Sequence, residues 1–218
     1  MKWCKRIVVY ATWWLASLMI YDTLFPAVST LMAARVVTLR SVEREWVPLS
    51  AISPNLVRAV IAAEDGKFCT HHGVDWNAMK GAVGAVVDPD ARVTHGGSTI
   101  TMQTAKNLFL WHGFSYVRKP LEVPIALVVD ALWRKRRIME NYLNVAEFGR
   151  GIFGAQAAAR HYFGKSAAWL TPREAALLAA TLPAPTRRNP ANPDGVMEAY
   201  ANNIAARVSR GVLSSCAR

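Results

Sequence analysis

The chain has 218 residues, 52% hydrophobic and 19% charged, which suffices for one well-packed domain plus a membrane segment and is unlike a disordered chain. A formal net charge of +11 points to an anionic partner, while Cys4, Cys69 and Cys216, odd in number and far apart, offer neither a disulfide framework nor zinc-ligand spacing. Lys2, Lys5 and Arg6 precede a nearly unbroken apolar run from Ile7 to Phe25, broken by Asp22, about the length that crosses a bilayer. The positive-inside rule then places residues 1–6 in the cytoplasm, 7–26 in the membrane and the remainder outside, with Trp13, Trp14 and Tyr21 as interfacial or lipid-facing aromatics. A cleavable signal peptide is the competing reading, with Ala27-Val28-Ser29 as a small-x-small site, but the run is longer and more aromatic than a usual signal core. The membrane segment disfavours nucleic acid as the anionic partner.

Residues 27–44 read as a connecting segment and 45–218 as a mainly α domain, with weak strand candidates only near Val36 and Val47. Ser53-Pro54 supplies a cap and a first-turn proline for a helix whose Leu56, Val57, Val60 and Ile61 share a face and which runs out at Glu64-Asp65. Asp75 caps a helix through Val87, ended by Asp88-Pro89, and Gly96-Gly97-Ser98-Thr99 opens another towards Leu110. From Ser115 to Trp133 an apolar stripe, Leu121, Ile125, Val128 and Leu132, predicts a helix that Pro120 and Pro124 delay or kink. Arg134 to Asn144 reads as a basic helix with Ile138 and Tyr142 on one face. Gly149-Arg150-Gly151-Ile152-Phe153-Gly154 spells a dinucleotide fingerprint, but a helix rather than a strand precedes it, so it reads as a structural turn before the helical run Ala155 to Phe163. Thr171-Pro172-Arg173-Glu174 is a capping box, Pro183 stops that helix, and an amphipathic stretch from Met197 to Leu213 closes the chain.

Three places carry chemistry. Glu64 and Asp65 sit at a helix end, a rigid mount for a reactive acid. After the glycines, Ser98, Thr99, Gln103 and Lys106 set hydroxyl, amide and ammonium groups at a helix start, with Gln103 and Lys106 on one face, suited to an anionic or sugar-like ligand. Arg118, Lys119 and Glu122 add two cations and an acid, Arg118 and Glu122 sharing a face at i, i+4. Cys69, His71 and His72 lack a second cluster and read as structural rather than metal-binding.

In chain order these stand as Glu-Asp-x-x-Phe-x-x-His-x-Gly from Glu64, Gly-Gly-Ser-Thr-Ile from Gly96, Arg-Lys-x-x-Glu from Arg118, and Lys135-Arg-Arg-Ile-Met-Glu-Asn-Tyr-Leu-Asn144. That ordered set, over about residues 45–190, resembles the peptidoglycan glycosyltransferase family, in particular its short membrane-anchored monofunctional transglycosylases. The resemblance implies a lysozyme-like helical domain, one N-terminal transmembrane helix and a periplasmic site at the bacterial inner membrane. It implies polymerisation of lipid II, a lipid-linked disaccharide-peptide, into β-1,4 glycan by inverting transfer with release of lipid diphosphate. Glu64 would be the general base on the acceptor 4-hydroxyl and Glu122 the second acid. Asp65, Ser98, Thr99, Gln103, Lys106, Arg118, Lys119 and Lys135 would bind substrate, the cations stabilising charge on the leaving pyrophosphate.

No cofactor is required by the sequence, although a divalent cation, Mg or Mn, could assist at Glu122. The implied partners are lipid II, the growing strand, the membrane and proteins of cell division or elongation. Two departures stand out: Met102 replaces the first of a glutamine pair, and Phe114 stands where the family often has arginine. They leave two alternatives, a lysozyme-like glycan-cleaving enzyme and an inactive membrane-anchored scaffold that binds lipid II.

Overall fold

The computed structural model describes residues 27–87, 97–212 and 214–217, with Arg6, Val9, Tyr10 and Trp13. Among the described residues no helix is long and apolar enough to cross a membrane, and the predicted anchor lies almost wholly outside them.

Nine α-helices among the described residues dominate: α1 Thr30–Val37, α2 Pro54–Glu64, α3 Trp76–Val87, α4 Ile100–Phe109, α5 Ser115–Leu132, α6 Lys135–Val145, α7 Ala155–Phe163, α8 Pro172–Thr181 and α9 Gly195–Ser209. The starts of α2, α3 and α8 follow the sequence signals. The Ser53 hydroxyl accepts from Asn55 N–H ahead of Pro54, the Asp75 carboxylate accepts from Asn77 and Ala78 N–H, and Thr171 and Glu174 form a reciprocal capping box. Leu56, Val57, Val60 and Ile61 of α2 are buried, each contributing on the order of 1.5–3 kcal/mol of transfer energy. They meet α8, whose Ala175, Ala176, Ala179 and Ala180 are buried and let helix axes approach closely, and α9 packs on both. Helix α6 enters the same core through Ile138, Met139, Tyr142 and Leu143.

The strands are short: β1 Glu43–Arg44, β2 Glu147–Gly149 and β3 Ile152–Phe153, in the order β1-β3-β2 with β1 parallel and β2 antiparallel to β3. Neither predicted strand position, near Val36 or Val47, is used. Two- and three-residue strands carry no periodicity to read, and β2 and β3 flank the glycine-rich turn that the fingerprint spelled. Residues 27–44, expected as a connecting segment, hold α1 and β1. Ala27 and Met32 pack with Val145 and Phe153, and Arg35 Nη2 lies 2.8 Å from Glu147 Oε1.

Two further expectations are corrected. Helix α5 does not start late: it runs from Ser115 through Pro120 and Pro124, which lie on its exposed side, where water can satisfy the carbonyls they leave unbonded. Its predicted stripe is met in part: Ile125 and Val128 pack partly buried against the core, but Leu121 and Leu132 are exposed, and the fully buried positions are Glu122, Ala126 and Val129. The contact that turns it is Gly73, at φ +75, where a Cβ would stand 2.7 Å from Ala126 O. Pressing that small-residue face on the loop after Asp65 brings Glu122 inward. Finally, Cys69 and Cys216 are joined in a disulfide with Cα atoms 5.6 Å apart. The sequence offered no framework because the pairing spans 147 positions and the third cysteine masks the even count.

Candidate active site

The site is assembled where α2 ends against the first turns of α4. The Thr99 hydroxyl caps α4 by accepting from Met102 N–H and donates to Gly73 O at 2.6 Å. Asp65 receives Ile100 N–H at 2.9 Å, and both of its oxygens lie 2.9 Å from His71 Nε2. Asp65 and Thr99 are buried. The expectation assigned them to substrate; in the structure their oxygens brace the α2 end to the α4 start. Ser98 lies half-buried just before that start.

The bracing leaves Glu64 beside Gln103. Gln103 Nε2 donates to Glu64 Oε2 at 2.7 Å, and its Oε1 accepts from Tyr142 O–H at 3.1 Å. The chain Tyr142–Gln103–Glu64 therefore fixes both the amide orientation and the carboxylate. Burial pushes the Glu64 carboxyl above the usual carboxylate range, Asp65 adding to this while Gln103, Lys106 and Arg188 oppose it. A base poised in this way takes a proton more readily near neutral pH than a solvated carboxylate does.

Gln103, Lys106 and Tyr142 line a cavity of about 250 Å³ with His112, Glu147 and Leu182 among its other walls. Burial lowers the Lys106 ammonium and Arg118 lowers it further, against the pull of Glu122 and Glu64. Lys106 thus stands in the field of both carboxylates. Glu122 is buried and ion-paired with Arg118; burial raises its carboxyl, and Arg118, Lys106 and Lys119 pull it down. Lys119 itself is exposed. His112 is pushed down to about 4 by burial, then by Lys106 and Arg118. His112 is thus uncharged near neutral pH, and the cations of α4 and the start of α5 are Lys106, Arg118 and Lys119, gathered around Glu122.

Glu64, Gln103, Lys106, Arg118 and Glu122 are brought together, with Lys119 at their edge. Lys135 is held elsewhere, 2.6 Å from Asp130 Oδ1 and 4.8 Å from the Phe68 ring centroid. The donor set at Glu122 does not fit a divalent cation, because three cations already surround that carboxylate, and among the described residues no cluster of three His, Cys, Asp or Glu could hold a metal. Tyr142, His112 and Arg188 were missed as site residues. Tyr142 was read as part of an apolar face because its hydroxyl's partner lies on a different helix, and Arg188 comes from a distant tail segment.

Both departures gain a place. Met102 is fully buried in the core, so it removes no donor from the cavity. Met102→Gln is expected to cost about 1–3 kcal/mol by burying an unmatched amide, read by chemical denaturation, without improving activity. Phe114 adopts the left-handed conformation at φ 43 and is 84% exposed, so its ring leaves the site rather than filling it.

The transglycosylase family model matches residues 31–210. Curated biosynthetic peptidoglycan transglycosylases are similar over most of the chain. That of Brucella suis biovar 1 is 51% identical over 209 residues, covering 94% of this chain and 92% of the relative. That of Agrobacterium fabrum is 53% identical over 180 residues, 83% and 79% of the two chains, and that of Nitrobacter hamburgensis 48% over 200 residues, 91% and 87%. With a carboxylate held by an amide relay, a group of cations suited to an anionic leaving group, and this extent of likeness, the chain belongs to the transglycosylase family.

Proposed function

We propose that this chain is a peptidoglycan glycosyltransferase that polymerises lipid II into β-1,4 glycan strands. The observation that carries the reading is Glu64, half-buried and fixed by Gln103 next to a cavity that Lys106 also lines. Glu64 takes the proton of the acceptor 4-hydroxyl as that oxygen attacks the donor anomeric carbon. The bond to the diphosphate breaks on the opposite face, inverting the centre, and lipid diphosphate leaves with the electron pair. Negative charge grows on the diphosphate as the bond breaks, so Lys106 and Arg118, already in place, stabilise the transition state more than the ground state. Glu122 orients Arg118 and sits within the field of Lys106.

The domain is lysozyme-like, residues 45–218 form its catalytic body, and residues 7–26 anchor it in the bacterial inner membrane with the site in the periplasm. Two observations support this placement. A disulfide persists in an oxidising compartment, and Val36, Val37 and Leu39, exposed apolar residues, follow the predicted anchor closely. Division or elongation proteins are the expected protein partners.

Purified protein given lipid II should yield polymer, with preformed glycan as the control; soluble fragments from glycan and no polymer from lipid II would overturn the reading in favour of a glycan-cleaving enzyme. The pH profile adds a test of the relay. Glu64 works as a base only when deprotonated, so the rate rises as pH climbs through its pKa. The hydrogen bond from Gln103 lowers that pKa. In Gln103→Ala the acid limb of kcat/KM is therefore expected to move to higher pH; an unmoved limb would exclude Glu64 as the titrating base.

A further inference from the structure

Strands β2 and β3 and the segment 182–189 form a wall shared by two cavities. Glu147, Phe153 and Leu182 line the cavity beside Glu64, whereas Arg150, Gly151, Arg187 and Arg188 line a second, open cavity of about 460 Å³. Apart from Arg188, whose charge reaches Glu64, the lining of this second cavity plays no part in the chemistry described above. The backbone that presents its cations is firmly held. Arg150 precedes Gly151, at φ +82, whose N–H donates to Glu147 Oε1 at 3.0 Å and whose carbonyl accepts Glu43 N–H at 2.8 Å. A Cβ at Gly151 would stand 2.7 Å from Ser41 O, so the turn that presents Arg150 is closely packed. On the other wall Arg188 donates to Ala180 O and lies 5.3 Å from the Tyr200 ring centroid, which fixes the backbone that presents its neighbour Arg187.

Arg150 and Arg187 are exposed, and neither has an ion-pair partner among the described residues. The acid in the cavity, Glu43, has its carboxylate 3.2 Å from His161 Nδ1. Arg150 and Arg187 line one cavity, and each guanidinium presents a planar fork that matches a carboxylate. Resting on the proposed function, we propose that this groove binds the carboxylates of the peptide carried by the disaccharide, so that the saccharide and its peptide are held on the two sides of one wall.

The test compares lipid II with free peptide carboxylates against the same lipid with those carboxylates amidated. The full chain is expected to favour the acidic substrate in KM by roughly tenfold, the scale of two partly exposed ion pairs. The double variant Arg150→Gln, Arg187→Gln is expected to lose that preference, and Arg187→Glu to reverse it, with thermal midpoints reporting that the variants fold. Anisotropy of a labelled, lipid-free disaccharide-peptide, acidic or amidated, reads binding independently of turnover. If the wild-type protein makes no polymer yet binds the acidic ligand better and the double variant does not, the proposed function fails and the groove stands. Equal preference in wild type and double variant overturns the groove.

Discussion

Glu64→Gln is expected to lower polymerisation of lipid II by about 10²–10⁴-fold, the range that a positioned general base contributes. The substitution is close to isosteric and keeps an oxygen for Gln103 Nε2, so the relay from Tyr142 survives. It should not weaken the fold. The Glu64 carboxyl is raised above its ordinary value of 4.5, so between the unfolded and folded pKa values the folded state binds more protons than the unfolded chain. The associated stability is present below the unfolded pKa and is lost as pH rises through the folded one. At neutral pH the ionised Glu64 is thus a cost that glutamine removes, and the thermal midpoint of the variant should equal or exceed that of the wild type. Polymer formation by the variant within tenfold of wild type would remove Glu64 from the mechanism. A sharp fall in midpoint would instead make it a structural residue.

The second large effect belongs to the disulfide. Cys69 lies in the loop between Asp65 and His71, and Cys216 belongs to a terminal 3₁₀ turn, Ser215–Ala217. Closing a loop with a separation of 147 residues removes unfolded-state entropy worth about 5 kcal/mol in the chain-entropy limit. Cys216→Ser, or reduction of the wild type, is expected to lower unfolding free energy by about 3–5 kcal/mol, measured by denaturant titration with and without reductant. The mutant should be insensitive to reductant. If reductant and mutation leave the midpoint unchanged, the bridge contributes no stability. The consequence for function follows from position: the bridged loop carries His71, whose ring holds Asp65, and Asp65 aligns the start of α4. Loss of the bridge should therefore reduce turnover before it unfolds the domain.

Much of the fold could be read locally. Helices α2, α3 and α8 begin at caps whose hydrogen bonds involve residues two or three positions away, and such signals survive in a one-dimensional record. The orientation of α5 could not be read, because Leu121 and Leu132 look like a core stripe until Ala126 is seen against Gly73. Strands two or three residues long have no period. Within the candidate site, residue type and order single out Glu64, Gln103, Lys106, Arg118 and Glu122, which the structure brings together. Asp65 and Thr99 were assigned to substrate, since nothing local reveals that their oxygens are already taken by His71, Ile100 and Gly73. Tyr142 and Arg188 reach Glu64 only through tertiary proximity.

The sequence by itself determined the helical class, the family and the identity of the acid and cation groups, because capping, periodicity and ordered motifs are properties of neighbours along the chain. Only the tertiary structure decided which of those groups face the cavity, which serve as braces, that Met102 is core, and that Cys69 meets Cys216. Those outcomes depend on which oxygen or sulfur lies within bonding distance after α2, α4, α5 and α6 pack.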